Sequence, residues 1–437
     1  MPLEYLVVGL NHRTAPLEVR ERLSLTKADL PEALHAMERF GVPGVILSTC
    51  NRSEFYVLEP FDSTGSPAPK GTGEARVKEF LVEHFNVSLP EIEGYLYAHS
   101  GRQCIIHLFR VASGLDSMIL GEEQIIGQVR EAYDAGLKTG TIPGPLSKLF
   151  QQALSAGRKV RRKTGISHNA LSVSRACVEL AKETLGNLGQ LTAMVVGSGD
   201  AGGLAAEVLN LSGIKDIVIT NRTHQRAVEL AKDLAGRAIP FHEMPTAIRD
   251  ADIVIGCTGS PGYVVEASMV REAMACRAER PLFLIDIAVP RDIDPAAGLI
   301  NNVVLRDVDD LESISTSSHQ DKEREAQAAE ELVAEEADHF VAWQQSQHAQ
   351  TIITALRNQA ERIRAEELNK TVRKLSGKLG PQELASLEAM TRAIVKKLLH
   401  GPTIYMKEQS DSDIDALARD MFRLTDVDDQ ESSDPRL

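Results

Sequence analysis

The chain has 437 residues, of which 43% are hydrophobic and 25% are charged, a composition typical of a globular protein with about two or three domains. Its formal net charge of −14 argues against a broad electrostatic attraction to nucleic acid. Its aromatic content of 4% argues against a surface dedicated to stacking single-stranded bases.

The sequence shows no targeting or membrane signal. The start, MPLEYLVVGLNHRTAP, has no basic segment followed by a long apolar run, so we expect no signal peptide. No apolar stretch is long enough to cross a bilayer, and the five cysteines are scattered without a Cys-x-x-Cys pair. We therefore expect free thiols, a cytoplasmic location and no membrane partner.

Residues 1–155 mix short predicted strands with helices. The segments YLVVGL, GVILSTC and EFYVLEP are predicted as buried strands, and FDSTGSPAPKGTG, rich in Gly, Pro and Ser, as an exposed loop. Strands that alternate with helices at this spacing predict an α+β domain, with a ferredoxin-like arrangement as one form of it.

A cysteine follows the second predicted strand, in the segment STCNR. The end of a strand presents its side chains at the edge of a sheet, and the positive charge of Arg52 favours a thiolate form of Cys50 with a lowered pKa. The simpler interpretation is that Cys50 is a small buried hydrophobic residue, which is the usual state of a free cysteine. The residues alone leave both interpretations open.

Residues 156–189 are predicted as a helical connector. This region carries a basic run within GRKVRRKTG, formed by Arg158, Lys159, Arg161, Arg162 and Lys163. The run is either a solvated helix face or a contact for phosphate groups, and the sequence alone favours the solvated face.

Residues 190–306 carry the pattern of a Rossmann domain. The apolar strands TAMVVG, DIVITN, ADIVIGC and PLFLIDIAV alternate with helical segments, and a glycine-rich turn joins the first strand to a helix. In that turn Gly197 permits a tight bend, Gly199 lets the backbone approach a pyrophosphate, and Gly202 lets helix and strand pack closely. The predicted phosphate-binding turn is Gly197, Ser198, Gly199, Asp200, Ala201 and Gly202.

The end of the second Rossmann strand predicts which dinucleotide binds. Sites for NADH carry Asp or Glu there, whereas this chain has Asn221, Arg222 and Thr223. Because a guanidinium matches a 2′-phosphate, we expect NADPH as the cofactor.

The loops Cys257–Pro261 and Asp286–Asp292 follow later strands and should face the nicotinamide crevice. Asp200 must point away from the phosphates. Metal-ligand spacing is absent, so no metal is expected.

The last part of the chain is predicted to be helical. No Gly or Pro occurs between Asn301 and Ser376, and the run is rich in Ala, Glu, Gln, Leu and Arg. This predicts one very long helix, or two joined by a soft bend, that needs partner helices to cover its apolar stripe. We assign residues 307–425 to a long helix and a helical oligomerisation domain, and residues 426–437 to a disordered tail.

Several motifs resemble one family, in order along nearly the whole chain. These are VVGLNHRTAPLEVRERL, LSTCNRSEFY, RVASGLDSMILGEEQIIGQVREAY, VGSGDAGG, TNRT and DIAVPRDIDP. Together they are similar to the glutamyl-tRNA reductase family, whose architecture is an α+β catalytic domain, a Rossmann domain, a long spinal helix and a helical dimerisation domain. The resemblance implies that Cys50 attacks the ester of glutamyl-tRNA and releases the tRNA, and that NADPH reduces the resulting thioester to glutamate 1-semialdehyde. This reaction is the first step of tetrapyrrole biosynthesis by the five-carbon route.

The same resemblance implies roles for further residues. His99 positions the ester or assists proton transfer, with a purely structural histidine as the alternative. Arg52 is the partner of a substrate carboxylate, and Glu122 either holds the substrate ammonium or serves the dipole of a helix. Glu123 stands where the family usually has proline. The implied substrate-binding residues are Thr49, Asn51, Arg52, Ser117, Glu122, Glu123, Gln124 and Gln128.

The resemblance also implies partners. Charged glutamyl-tRNA is the substrate, which makes a phosphate contact at the basic run plausible. A homodimer forms through the C-terminal helices, and a complex with the aminomutase that takes the semialdehyde is an expectation. Two alternatives stay open: an NADP-dependent dehydrogenase of a free small metabolite, and a non-catalytic regulator of the same fold that binds tRNA or a partner.

Overall fold

A computed structural model describes residues 4–60, 68–167, 173–277, 280–311, 319–375, 379–408, 417–418 and 421–422. The predicted tail, 426–437, and the part 61–67 of the predicted loop lie outside these residues. The chain divides into two compact units, Glu4–Glu335 and a second that begins at Glu336.

The first unit begins with an antiparallel sheet of the ferredoxin-like type. Its strands are β1 (Tyr5–Asn11), β2 (Gly44–Ser48), β3 (Arg52–Leu58) and β4 (Tyr97–Ser100), in the spatial order β2-β3-β1-β4. The three predicted strands are confirmed. β4 was not predicted, because its sequence, YAHS, carries little apolar signal and its pairing with β1 alone makes it a strand.

Helices cover this sheet and lead out of it. A left-handed glycine, Gly114 with φ of 79°, ends one of them in the manner usual for helix C-termini. The helices are α1 (Leu17–Arg20), α2 (Leu30–Arg39), α3 (Thr72–His84), α4 (Leu89–Ile92), α5 (Gly101–Ser113), α6 (Gln124–Thr139), α7 (Gly144–Lys163) and α8 (Val173–Leu185). The predicted connector thus contains the end of α7 and the whole of α8.

The Rossmann domain follows α8. Its strands are β5 (Thr192–Val196), β6 (Asp216–Thr220), β7 (Arg237–Ile239), β8 (Ile253–Gly256), β9 (Leu282–Asp286) and β10 (Val303–Asp307), all parallel, in the order β10-β9-β8-β5-β6-β7. This order reverses between β5 and β8, which is where dinucleotides bind in such sheets. The α-helices of this domain are α9 (Asp200–Leu211), α10 (His224–Asp233), α11 (Met244–Ala247) and α12 (Ala267–Ala275).

Short 3-10 helices complete the first unit, at Glu21–Leu23, Glu93–Tyr95, Leu188–Gln190, Phe241–Glu243 and Pro295–Leu299. The two domains of this unit share buried apolar residues. Leu17, Met118 and Ile119 belong to the same hydrophobic cluster as Cys177 of α8 and Val195 of β5. Burial of this shared apolar surface holds the domains together.

The predicted long helix is confirmed, with a later start. It is α13 (His319–Lys374), 56 residues long, and α14 (Pro381–Glu408) follows it. Residues 303–307 had been included in the uninterrupted run, but they form β10 because their β-branched residues pair with β9 in the parallel sheet. Among the described helices, none combines the length and apolar character that a membrane span requires.

The turn between β5 and α9 depends on glycine at two positions. Gly197 has φ of 115°, a conformation that other residues rarely adopt. A Cβ atom on Gly202 would lie 2.3 Å from the carbonyl oxygen of Gly197 and 2.7 Å from the sulfur of Cys257. The close helix–strand packing predicted for Gly202 is therefore confirmed.

We expect Gly202→Ala to lower the free energy of unfolding by about 1–3 kcal/mol, because its methyl group meets backbone atoms that cannot move freely. Gly203→Ala is the matched control, since a Cβ there meets only Leu230 Cδ1, at 3.8 Å. Thermal or denaturant unfolding of both variants measures the difference. Equal stability of the two variants would contradict this explanation of Gly202.

Candidate functional site

Cys50 lies in the tight turn between β2 and β3. The amide of Thr49 donates to the carbonyl of Arg52 at 2.8 Å, and the amide of Asn51 donates to Thr49 Oγ1 at 3.2 Å. The carbonyl of Cys50 accepts a hydrogen bond from Arg20 Nη1 at 2.6 Å. These bonds fix the backbone on both sides of the half-buried thiol.

Of the two interpretations that the sequence left open for Cys50, the structure favours a buried thiol over one with a lowered pKa. Burial raises the pKa of the Cys50 thiol to about 12, and the negative charge of Glu122 adds to this effect. Arg20 and Arg52 act in the opposite direction, but more weakly. The thiol is therefore protonated near neutral pH in the absence of a ligand.

Arg52 is buried and is held by two carboxylates. Its side chain is 1% exposed, and Nη1 donates to Glu54 Oε1 at 2.7 Å and to Asp116 Oδ2 at 3.0 Å. Nη2 donates to the carbonyl oxygen of Asp116. These contacts engage both Nη atoms, whereas Nε is buried and makes no hydrogen bond among the described residues. The role of Arg52 as the partner of a substrate carboxylate stays a prediction. Arg52 ties the Cys50 turn to the segment before α6.

Polar atoms without a partner cluster near this turn. Among the described residues, Asn51 Oδ1, Arg52 Nε, Ser117 Oγ and His12 Nδ1 are buried and make no hydrogen bond. His12 stands next to the turn, because its amide donates to the carbonyl of Asn51 at 2.9 Å. Burial lowers the pKa of His12 to about 4, so this ring is neutral near pH 7. Buried polar groups are nearly always satisfied, so this cluster indicates a place for a polar ligand.

Glu122 is held beside the thiol by an arginine of the basic run. Arg161 Nη2 donates to the carbonyl of Glu122 at 2.8 Å and Nη1 to the carbonyl of Gly121 at 3.4 Å. Glu122 is buried, and this burial raises the pKa of its carboxyl group. Arg161 thus has a structural role, whereas Arg158 and Arg162 of the same run are exposed.

The remaining substrate-binding predictions fall around the start of α6. Glu123 is exposed and immediately precedes α6, whose first residue is Gln124. Gln128 lies one turn later and lines a pocket of about 470 Å³ together with Ser48, at the end of β2. The structure therefore places Gln128 close to the strand that leads into the Cys50 turn.

His99 lies on β4 and borders a separate pocket. This pocket has a volume of about 320 Å³ and is lined by His99, Gln103, Ile106, His107, Arg110 and Asp116. The His99 ring stacks on Tyr97 with centroids 5.3 Å apart, and burial followed by the proximity of His107 lowers its pKa. Asp116 connects the two regions, since it lines this pocket and accepts from Arg52.

One cluster has the composition of a metal site. Ligand atoms of Glu54, His107 and Asp116 lie within 4.8 Å of one another. The guanidinium of Arg52 already donates to both carboxylates, and His107 Nε2 is 2.9 Å from Glu54 Oε1. Although burial alone would raise it, the pKa of Glu54 is held below its usual range by Arg52 and His107. These ion pairs account for the cluster, and the absence of a metal stays a prediction.

The predicted dinucleotide turn has the features that a pyrophosphate needs. Gly199 precedes the first turn of α9, and a Cβ atom there would meet nothing within 4 Å. Ser198 Oγ is buried and without a partner among the described residues. Asp200 is exposed. An open glycine, free N–H groups at a helix start and an orphaned hydroxyl together fit a phosphate group.

The end of β6 is open to solvent. Arg222 and Thr223 are exposed, and Asn221 Nδ2 donates to the carbonyl of Thr223 at 3.1 Å, which shapes this turn. The exposed guanidinium of Arg222 is therefore accessible to a 2′-phosphate.

The two loops expected at the crevice are joined by a buried carboxylate. The Thr258 amide donates to Asp292 Oδ2 at 2.6 Å, and its hydroxyl donates to the same carboxylate. Burial raises the pKa of Asp292 to about 6 and that of Asp286, at the end of β9, to about 8. These loops meet at the carboxyl ends of β8 and β9, as expected.

Several residues of the site were missed in the sequence. Glu54 and Tyr56 lie on the same face of β3 as the predicted Arg52, so they could have been found from a period of two residues. Asp116 directly precedes Ser117 in a recognised motif. The role of Arg20 could not be predicted from neighbouring residues, because its contacts with Cys50 and Asp309 lie 30 and 289 positions away along the chain.

Three family models match successive parts of the chain. They describe the N-terminal domain of glutamyl-tRNAGlu reductase over residues 8–164, shikimate / quinate 5-dehydrogenase over residues 179–314, and the dimerisation domain of glutamyl-tRNAGlu reductase over residues 328–424. The matches follow the order of the sheet domain, the Rossmann domain and the C-terminal helices.

Similar proteins cover almost the whole chain. The glutamyl-tRNA reductase of Syntrophotalea carbinolica is 42% identical over 94% of this chain and 91% of its own length. That of Thermodesulfovibrio yellowstonii is 39% identical over 94% of this chain and 96% of its own length. The solved structure of glutamyl-tRNA reductase from Methanopyrus kandleri matches with a TM-score of 0.53 and 31% identity, over 96% of this chain and 98% of that one. The chain belongs to the glutamyl-tRNA reductase family.

Proposed function

We propose that Cys50 is the nucleophile of an NADPH-dependent reduction of glutamyl-tRNA to glutamate 1-semialdehyde. The Cys50 sulfur forms a bond to the glutamyl carbonyl carbon, the bond to the ribose oxygen of the tRNA breaks, and the thiol proton passes to that oxygen. The observation that carries this proposal is the cluster of unpartnered polar atoms, Asn51 Oδ1, Ser117 Oγ and His12 Nδ1, around a cysteine in a fixed turn. These atoms can bind the polar glutamyl group.

Glu122 gives the protonated thiol a means of activation. Its charge is among the causes that raise the pKa of Cys50, so pairing of Glu122 with the substrate ammonium would lower that pKa when the substrate is present. The thiol would then be reactive mainly in the complex. His99 is the proposed proton carrier, and Thr49, Gln124 and Gln128 complete the glutamyl pocket, with Arg52 as a positioning residue behind the turn.

The Rossmann domain binds NADPH, which supplies the hydride when bound. The turn Gly197–Gly202 holds the pyrophosphate and Arg222 contacts the 2′-phosphate, with Asn221 and Thr223 shaping the loop. Thr258 and Asp292 fix the loops at the crevice in place. When the bond between the Cys50 sulfur and the substrate carbon breaks, the aldehyde is released and the sulfur takes up a proton.

The remaining proposals concern assembly and location. The chain is a homodimer through its C-terminal helices; Met390, Ile394, Leu398 and Tyr405 of α14 are exposed apolar residues that a second copy can cover. We propose in addition a complex with the aminomutase that takes the semialdehyde, and a cytoplasmic location, which the five free cysteines support. The proposed domain boundaries are 1–155, 156–189, 190–306, 307–425 and 426–437.

The nucleophile is tested by trapping. We expect glutamyl-tRNA incubated without NADPH to label Cys50, and Cys50→Ser to lose the label and at least about a thousandfold in reduction rate. Mass spectrometry of the digested protein locates the adduct. Cys104→Ser is the control, because this buried cysteine belongs to the same domain. A glutamyl label on a residue other than Cys50 would overturn the assignment.

We expect Glu122→Gln to lower the pKa of the Cys50 thiol below about 12, because it removes a negative charge that opposes ionisation. Alkylation of Cys50 near neutral pH should then be severalfold faster, since the thiolate fraction grows as the pKa falls. Glu123→Gln is the matched control, because it removes the same charge from an exposed neighbouring residue. Unchanged alkylation in Glu122→Gln would contradict this activation.

We expect Arg222→Ala to weaken NADPH binding by about tenfold or more and to leave NADH binding nearly unchanged, because only NADPH carries the 2′-phosphate. Fluorescence titration with both dinucleotides measures the ratio. Arg226→Ala, which alters a cation of the adjacent helix α10, is the control. An equal loss for both dinucleotides would mean that another residue reads the 2′-phosphate.

A further inference from the structure

One buried arginine joins the carbonyl of Cys50 to the other domain. Arg20 is 2% exposed; its Nε donates to the carbonyl of Ala15 at 3.2 Å and its Nη1 to the carbonyl of Cys50 at 2.6 Å. Its Nη2 donates to the carboxylate of Asp309, which follows β10 of the Rossmann sheet. A rigid planar fork of donors can make these bonds at once, which a lysine cannot.

A second arginine, which belongs to the Rossmann domain, donates to carboxylates of the N-terminal domain. Arg291 follows β9; its Nε and Nη2 donate to the two carboxylate oxygens of Glu21 at 3.0 and 2.8 Å, and its Nη1 to Glu18 at 3.2 Å. The next residue, Asp292, holds Thr258 of the loop after β8. The arginine that makes these contacts with Glu21 and Glu18 therefore lies in one of the loops that border the nicotinamide crevice.

Both arginine contacts meet on one short stretch, residues 17–23, which we call the joint segment. It comprises α1 and the 3-10 helix Glu21–Leu23, and its Leu17 belongs to the apolar cluster shared with the Rossmann domain. The joint segment is thus fixed to the second domain by three ion pairs and by apolar packing. Through Arg20 it also holds the peptide group that carries the Cys50 side chain.

We propose that Arg20 is a positioning residue for the reduction step, which sets the direction of the Cys50 sulfur relative to the NADPH domain through its contact with Asp309. The inference rests on the proposed role of Cys50. Acylation uses groups of the N-terminal domain alone, whereas reduction requires the acylated sulfur to be aligned with a second domain. A misplacement of about 1 Å between reacting groups can cost roughly a hundredfold in rate. Loss of the Asp309 contact should therefore affect the two steps unequally.

The test separates the two half-reactions in Asp309→Asn. Asparagine keeps the shape and an acceptor oxygen but removes the charge, and the Asp309 side chain is 39% exposed, which limits the cost to folding. We expect release of tRNA without NADPH to stay within about twofold of the unaltered chain. Single-turnover reduction of the preformed Cys50 thioester should be slower by about tenfold or more.

Arg22→Met is the matched control. Arg22 belongs to the joint segment, but its guanidinium pairs with Glu91 of the same domain, at 2.8 Å and in an exposed position. Both half-reactions should be unchanged in this variant. Arg20→Lys, checked for folding by its unfolding temperature, should slow reduction more than acylation, because one ammonium cannot replace the bonds to both Cys50 and Asp309.

Two results would overturn the inference while leaving the nucleophile intact. One is reduction of the Cys50 thioester at an unchanged rate in Asp309→Asn; the other is an equal slowing of acylation and reduction, which a merely structural role would produce. Failure of the unaltered chain to form a Cys50 thioester would instead refute the proposed nucleophile and the inference with it.

Discussion

The buried guanidinium of Arg52 is the constraint on which the N-terminal domain depends. Removing an ion from water costs several kcal/mol, and the cost is offset only when good partners surround it. Here Glu54 and Asp116 supply those partners, and Glu54 in turn accepts from Tyr56 at 2.6 Å. The network joins β3 to the segment before α6 and so fixes the end of the Cys50 turn, where β3 begins. A flexible turn could not hold a nucleophile in one direction.

In the Rossmann domain, buried carboxyl groups fix the backbone through hydrogen bonds, as the buried guanidinium of Arg52 does in the N-terminal domain. Asp286 is buried and accepts from the amides of Ala288 and Ile293 at 3.1 and 2.8 Å, while Asp292 accepts from Thr258. The raised pKa of each carboxyl group reflects the cost of its burial. Each binds the backbone of a loop that could otherwise move. The crevice is therefore shaped by buried polar groups, as the turn of Cys50 is.

Much of the architecture could be predicted from local patterns. The strands TAMVVG and DIVITN and the glycine turn are readable because apolar runs and glycines act over a few residues. β4, which carries His99, and β10 were missed because they become strands through pairing with β1 and β9, which no local window contains. The thiol motif is readable from a few neighbouring residues, but the direction of the Cys50 pKa shift depends on the burial of Cys50 and on Glu122, which is 72 positions away along the chain.

Burial of the thiol has a consequence for the order of events. A cysteine with a pKa of about 12 is poorly reactive toward oxidants and toward esters alike, because the thiolate is the nucleophile. The site therefore needs the substrate to complete it, and the unpartnered Asn51, Ser117 and His12 atoms are the groups that the substrate would satisfy. A ligand that supplies partners to these buried groups gains binding free energy, because a buried polar group without a partner is costly. Binding of the glutamyl group and activation of the Cys50 sulfur then occur together. The reactive thiolate therefore forms only in the complex of the protein with its substrate.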